Sequence, residues 1–323
     1  MPGPGPLNAI TDVPGILVGQ AQDLDLMTGV TVVVPEAPTV AALDVRGGAP
    51  GTRETDFLRP ESTLEHIHAV ALSGGSAFGL DAAGGAADWL RRQGRGLPFG
   101  GHLVPIVPSA ILFDLGRGAV WDTPPWWRMG AEAAASAART FGLGCVGAGT
   151  GAHSGGLKGG VGTASIVSDG FVVGAIAVAN SLGSVVMPGT RSFWAWWLEE
   201  AGEFGGQLPP AAAPDTSVPL LPREVFGNTT LVVVATDAAL NKGDAGRIAM
   251  MAQDGLARAI RPVHTPLDGD IVFALATGQT PLRDRVPDLA RIGSHAADCV
   301  ARAITRGVVE AVSLGGTPAW RDG

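Results

Sequence analysis

Three kinds of side chain in this 323-residue sequence stand where they could do chemistry: a threonine hydroxyl, an isolated lysine and a close pair of aspartates. Thr229 follows Asn228 and opens the apolar run Thr230-Leu231-Val232-Val233-Val234-Ala235. A threonine hydroxyl is a poor nucleophile without a neighbouring base. Scission before Thr229 would supply one, because the freed α-amine has a pKa of about 7.7–8.0. The same residues also read as an ordinary β-branched strand start. Asp268 and Asp270 flank Gly269 at the entry to a second apolar run. If both faced one site their charges would raise one pKa, unless a cation or hydroxyl donor compensated; the alternative is an Asp-Gly turn followed by a strand-capping aspartate. Lys158, one of only two lysines with Lys242, ends a stretch that contains Gly147-Ala148-Gly149-Thr150-Gly151 and Gly155-Gly156. That glycine density indicates a loop whose backbone closes on something, with Lys158 projecting into it.

Other chemistries lack their residues. The glycines are spaced G-x-G-x-G and lead into a strand, not a helix, so the dinucleotide fingerprint fails; Lys158 is followed by Gly159, so the phosphate-binding loop fails too. Six histidines and two cysteines are scattered. His66 and His68 would share a strand face but have no third ligand nearby, so neither a metal nor a cofactor is expected. Cys145 and Cys299 read as core residues. A net charge of −8 provides no field to gather nucleic acid. No apolar run is long enough to cross a membrane, and Met1-Pro2-Gly3-Pro4-Gly5-Pro6 lacks the pattern of a secretory signal, so a cytoplasmic setting is expected.

The elements that must position these groups follow from hydrophobic periodicity. Strands are expected over residues 16–18, 29–34, 40–45, 69–72, 163–167, 170–179, 228–237 and 270–276, with a buried strand pair over 104–113. Helices are expected over 76–92, 131–140, 191–203, 240–260 and 288–306, the first closing at Gly94. Trp194, Trp196 and Trp197 would line a buried helix face, the alternatives being a subunit contact or an apolar substrate path. Residues 205–222 hold five prolines and no periodicity and read as a linker. Hairpin-like strand pairs among alternating helices indicate layered α/β architecture with a mixed or antiparallel sheet.

Several motifs, in order, cover nearly the whole chain: Ile10-Thr11-Asp12-Val13-Pro14-Gly15, Leu72-Ser73-Gly74-Gly75-Ser76-Ala77-Phe78-Gly79-Leu80, Val107-Pro108-Ser109-Ala110-Ile111, Gly227-Asn228-Thr229-Thr230 and His264-Thr265 through Asp268-Gly269-Asp270 to Phe273-Ala274. Together they resemble the DmpA-type family of self-processing N-terminal-nucleophile hydrolases. This family includes L-aminopeptidase D-amidase/esterases, β-peptidyl aminopeptidases and nylon-oligomer (6-aminohexanoate) endohydrolases.

The resemblance implies an αββα four-layer sandwich, autocleavage between Asn228 and Thr229, and fragments 1–228 and 229–323 forming one compact domain. It further implies Thr229 as nucleophile, Asn180 as oxyanion donor, Lys158 near the nucleophile and Asp268 with Asp270 positioning the network. A lysine beside two aspartates would answer their mutual repulsion. The implied substrate is a short peptide, β-peptide or ω-amino oligoamide, and the implied assembly a homotetramer. Threonine and Asp-Gly-Asp, where aminopeptidase members carry serine and Ser-Gly-Glu, resemble the nylon-oligomer branch. Phe113 stands where some relatives have tyrosine. The alternatives are an acyltransferase of the ornithine acetyltransferase type using the same threonine, and a non-catalytic binding protein on the same scaffold.

Overall fold

The computed structural model describes residues 2–210 and 227–323. Of the linker-like stretch, residues 211–222 lie outside them. Two sheets face each other. In spatial order the first contains Ile16–Asp23, Thr28–Pro35, Val70–Ser73, Ser109–Ile111 and Thr52–Arg53; the second contains Val161–Ser168, Phe171–Val178, Leu231–Ala238, Ile271–Thr280, Thr39–Val45 and His66–Ile67. Both are mixed: Val70–Ser73 runs parallel to Ser109–Ile111, and Leu231–Ala238 parallel to Ile271–Thr280. Four helices complete the layers: α1 (Ala82–Arg92), α2 (Trp126–Ala135), α3 (Lys242–Ala259) and α4 (Arg285–Val309). Helices α1 and α2 cover the first sheet, α3 and α4 the second. The order is helix, sheet, sheet, helix.

Two faces per sheet require three cores, and strand alternation supplies them. Along Leu231–Ala238, Leu231, Val233 and Ala235 point between the sheets, while Val232 and Val234 point at α3 and α4. On the first sheet Val33 enters the central core and Val30, Val32 and Val34 the layer under α1 and α2. Burial on both faces is why these strands read as unbroken apolar runs rather than as alternating patterns. The glycines let the layers approach. A Cβ on Gly130 would stand 2.0 Å from the carbonyl oxygen of Ala82 where α2 crosses α1, and one on Gly162 would stand 2.0 Å from that of Ala303 where the second sheet meets α4.

Several expectations need correcting. The helix expected over 131–140 starts earlier, at Trp126 just after Pro125, and stops at Ala135, where the next residue, Ser136, turns its hydroxyl back onto the Ala133 carbonyl at 3.0 Å. Residues 191–203 contain only the single turn Trp196–Leu198. Trp197 is exposed there, so the tryptophans line no helix face. Residues 104–113 form no buried strand pair: Val104 is the exposed end of the short strand His102–Val104, and Ser109–Ile111 belongs to a different sheet. His66 is exposed while His68 is buried, its Nδ1 accepting the Ile106 N–H at 3.1 Å, so the two rings do not share a site. Cys299 lies in the core as expected, but Cys145 is only half-buried, with its thiol on the carbonyl of Val312 at 3.3 Å. Among the described residues no helix is long and apolar enough to cross a membrane.

Helix α3 begins at a cap, the Asn241 side chain accepting the Asp244 N–H at 2.8 Å. Its first residue, Lys242, is buried. The ammonium donates to the carbonyl oxygens of Phe57, Arg59 and Ser62 at 2.8, 3.2 and 3.1 Å and so ties the 56–62 loop to the helix. Lys242→Met strands those carbonyls and is expected to cost about 2–3 kcal/mol in urea unfolding; a loss below about 0.5 kcal/mol would refute this role.

Candidate active site

Strand register assembles the site. In the second sheet Leu231 lies opposite Ile271 in parallel pairing, and the same offset places Asn228 against Asp268, where the two form a bridge, and Thr230 beside Asp270. On the other side Leu231 lies opposite Val178 in antiparallel pairing, and continuing that register brings Thr229 opposite Asn180; the Thr229 N–H donates to the Asn180 carbonyl at 2.7 Å. One strand further, the Ala179 N–H donates to the Gly160 carbonyl at 2.9 Å, at the end of the loop that carries Lys158. The ends of four neighbouring strands thus bring Lys158, Asn180, Thr229 and the Asp268-Gly269-Asp270 turn into one row.

The bond before Thr229 is closely held. The Thr229 hydroxyl donates to the Asn228 carbonyl oxygen at 2.6 Å, and that oxygen also accepts the Gly269 N–H at 2.9 Å. Gly269 is opposite Thr229 on the same face, and a Cβ there would lie 2.6 Å from the hydroxyl oxygen. Gly227, at φ +84°, presses its backbone against Phe113, where a Cβ would meet that of Phe113 at 2.3 Å. Thr229 itself is 3% exposed.

The aspartates do not point at the hydroxyl. Asp270 accepts the Thr230 N–H on Oδ1 at 2.8 Å, and on Oδ2 the His264 N–H at 3.1 Å and the His264 ring Nδ1 at 2.9 Å. Asp268 accepts the Leu182 N–H at 3.2 Å on Oδ1 and both the N–H and the hydroxyl of Thr265 on Oδ2, at 3.0 and 2.6 Å. Burial, and next the Asp270 charge, push Asp268 above the usual carboxylate range. Both carboxylates therefore act as clamps on the backbone around Thr229.

The expectation that Lys158 neutralises them is corrected. Its ammonium is caged by the carbonyl oxygens of Gly149, Ala152 and Gly159 at 3.0, 2.7 and 2.8 Å, and among the described residues no ion pair joins it to either aspartate. The glycine-rich loop does close on something, and that something is the lysine. Burial pulls Lys158 down to about 8, with Cys145 the largest opposing influence.

Asn180 is completely buried. Its Oδ1 accepts the Arg117 guanidinium at 2.8 Å and the His153 N–H at 2.9 Å, while Nδ2 has no partner among the described residues. His153 is held neutral, its pKa lowered to about 4 by burial and then by the charges of Arg117 and Lys158. Asp114, beside Arg117, is raised to about 6 by burial, although the Gly75 N–H at 2.7 Å and the Arg117 charge oppose this. Arg117, Asp114, His153, His264 and Thr265 were not singled out from sequence. His264-Thr265 lay within a recognised motif, but nothing local marks Asp114-Leu115-Gly116-Arg117, which reaches Asn180 only across the gap between the sheets.

The model for "Peptidase family S58" matches residues 8–319. The chain belongs to peptidase family S58. An uncharacterized aminopeptidase of Mycobacterium tuberculosis is 46% identical over 339 residues, covering 98% of each chain. A 6-aminohexanoate-oligomer endohydrolase of Paenarthrobacter ureafaciens is 28% identical over 84% of this chain and 75% of that protein. Among solved structures, the L-aminopeptidase D-Ala-esterase/amidase of Ochrobactrum anthropi, described as a variant of the Ntn-hydrolase fold, superposes with a TM-score of 0.70 at 23% identity, over 98% of this chain and 90% of that one. A Burkholderia β-aminopeptidase gives 0.70 at 24% identity, over 99% and 92%. The S58 chain is thus an enzyme acting on peptide or amide bonds, on the mixed α/β sandwich of the Ntn hydrolases.

Proposed function

We propose that this S58 hydrolase cuts its own chain between Asn228 and Thr229, giving fragments 1–228 and 229–323, and then uses Thr229 to remove residues from the amino ends of short peptides. The observation that carries this reading is the scissile carbonyl. Its oxygen is held by the Gly269 N–H while the Thr229 hydroxyl lies 2.6 Å away. Attack by that hydroxyl moves the acyl group from nitrogen to oxygen, and water then releases Asn228 as a carboxylic acid and Thr229 as a free amine.

In turnover the amine takes the hydroxyl proton and the oxygen attacks the substrate carbonyl. The amine's proton passes to the leaving nitrogen, and water hydrolyses the ester. Developing negative charge on the carbonyl oxygen is met by the unpaired Asn180 Nδ2, a donor of a kind worth roughly 2.7–4 kcal/mol. Identity of 46% to mycobacterial proteins named as aminopeptidases supports an amino-terminal substrate; likeness to 6-aminohexanoate-oligomer hydrolases supports acceptance of a longer ω-amino acyl unit. A cytoplasmic homotetramer belongs to the same proposal, and exposed Phe99, Val120 and Trp127 are apolar surface that assembly would cover.

The test is product analysis by mass spectrometry on amino-acid p-nitroanilides, short peptides and linear 6-aminohexanoate oligomers, with and without an added amine acceptor. Free acid products support hydrolysis. Acyl transfer to the amine in preference to water would indicate the acetyltransferase-type alternative, and no turnover of any substrate by fully cleaved protein would overturn the proposal.

A further inference from the structure

We propose that Arg117 is a positioning residue for amide hydrolysis, orienting and polarising the Asn180 carboxamide; this rests on reading Asn180 as the oxyanion donor. A carboxamide nitrogen cannot accept hydrogen bonds. Two donors, the Arg117 guanidinium at 2.8 Å and the His153 N–H at 2.9 Å, converge on one terminal atom of Asn180, so that atom must be the oxygen. The nitrogen is left buried and without a partner, an arrangement that ordinarily costs about 1–3 kcal/mol. Residues directly opposite in antiparallel strands place their side chains on the same face, and Asn180 is directly opposite Thr229. The unpaired donor therefore belongs to the face that carries the nucleophile.

Arg117 does more than hold the amide still. A charged donor on Oδ1 draws electron density from the carboxamide and makes its N–H groups more acidic, strengthening the bond they offer a developing oxyanion. The guanidinium is itself fixed, donating to the Gly151 carbonyl and lying beside Asp114. One terminal nitrogen, Nη1, bridges the Gly151 and Asn180 oxygens, and a lysine, whose ammonium keeps the charge on a shorter side chain, would restore only part of that bridge. Self-cleavage has a different donor, because the Asn228 carbonyl oxygen is held by Gly269. Arg117 should accordingly matter for turnover and little for maturation.

The experiment compares Arg117→Met, Arg117→Lys, Asn180→Ala and the double variant Asn180→Ala/Arg117→Met, scoring self-cleavage on denaturing gels and kcat and KM on an amino-acid p-nitroanilide. Arg117→Met is expected to cleave itself and to lose about 10- to 100-fold in kcat with KM within about threefold, less than the 10²–10³ for removing an oxyanion donor outright. Arg117→Lys should recover part of that loss. Once Asn180 is alanine, Arg117→Met should add less than about twofold, a non-additivity that a general structural role would not produce. An unchanged kcat in Arg117→Met, full additivity in the double variant, or failure of both Arg117 variants to cleave would overturn the proposal. Should Asn180→Ala keep full kcat, it is the oxyanion reading of Asn180 that fails, a result distinct from any behaviour of Arg117.

Discussion

Thr229→Ala is expected to remain one uncut chain and to lose amide hydrolysis by roughly 10⁵-fold or more, the scale seen when a catalytic nucleophile is removed. No neighbouring hydroxyl can take over. Thr230 is fully buried and, one residue along an extended chain, presents its side chain to the opposite face. The fold should survive, because the backbone bonds from Thr229 to Asn180 and from Gly269 to Asn228 do not involve the lost side chain. Thr229→Ser retains a hydroxyl and is expected to cleave and turn over at a reduced rate. Denaturing gels, amino-terminal sequencing of the smaller fragment and p-nitroanilide kinetics check these outcomes together. Two fragments from the alanine variant, or undiminished activity in it, would remove Thr229 from the mechanism.

How legible all this was in the sequence depended on whether a property is local. The strand cores were readable because runs such as Leu231-Val232-Val233-Val234 cannot sit at a surface, yet their burial on both faces hid which side each residue takes. Helices α3 and α4 carry amphipathic periodicity and an Asn241 cap, and their expected extents are close to those observed. The tryptophan segment misled, because helical spacing of large apolar residues does not distinguish a helix from an irregular segment wedged against one. Phe193 and Trp320 stack at 4.7 Å across distant parts of the chain, and tertiary contact of that kind decides the conformation.

The candidate site divides in the same way. Thr229 and the two aspartates announce themselves as a hydroxyl and acids at strand entries, but pairing across three strands decides what each touches. The two lysines are the clearest case. In a chain that otherwise uses arginine for its positive charge, both surviving lysines place an ammonium among three backbone carbonyls, Lys158 in the glycine-rich loop and Lys242 over the 56–62 loop. A tetrahedral ammonium offers three donors around a point, which a planar guanidinium cannot do. Their retention is a geometric requirement, and the sequence alone displays only their rarity.

Gly269→Ala is expected to slow self-cleavage by about 10²–10³-fold, the scale of losing one oxyanion donor, while leaving the fold largely intact. The reason is space. The added methyl would lie 2.6 Å from the Thr229 hydroxyl oxygen and 2.8 Å from the Ala49 carbonyl oxygen, both closer than carbon and oxygen can approach. Ala49 is backbone and donates its own N–H to the Asp268 carbonyl at 2.9 Å, so it cannot retreat without breaking the pairing that holds the turn. Either the hydroxyl rotates away from the Asn228 carbonyl or the Gly269 N–H moves off that oxygen, and both displacements remove part of the attack geometry. A time course of fragment appearance after rapid purification checks the effect, with Gly47→Ala as a comparison: its methyl would meet the Asp268 carbonyl oxygen at 2.2 Å and the Asp270 nitrogen at 2.4 Å, crowding the backbone of the same turn. Normal cleavage in Gly269→Ala would mean that the Gly269 N–H does not carry the scissile oxygen through the reaction. Equal slowing in both variants would mean that the turn as a whole, rather than its contact with the hydroxyl, sets the rate.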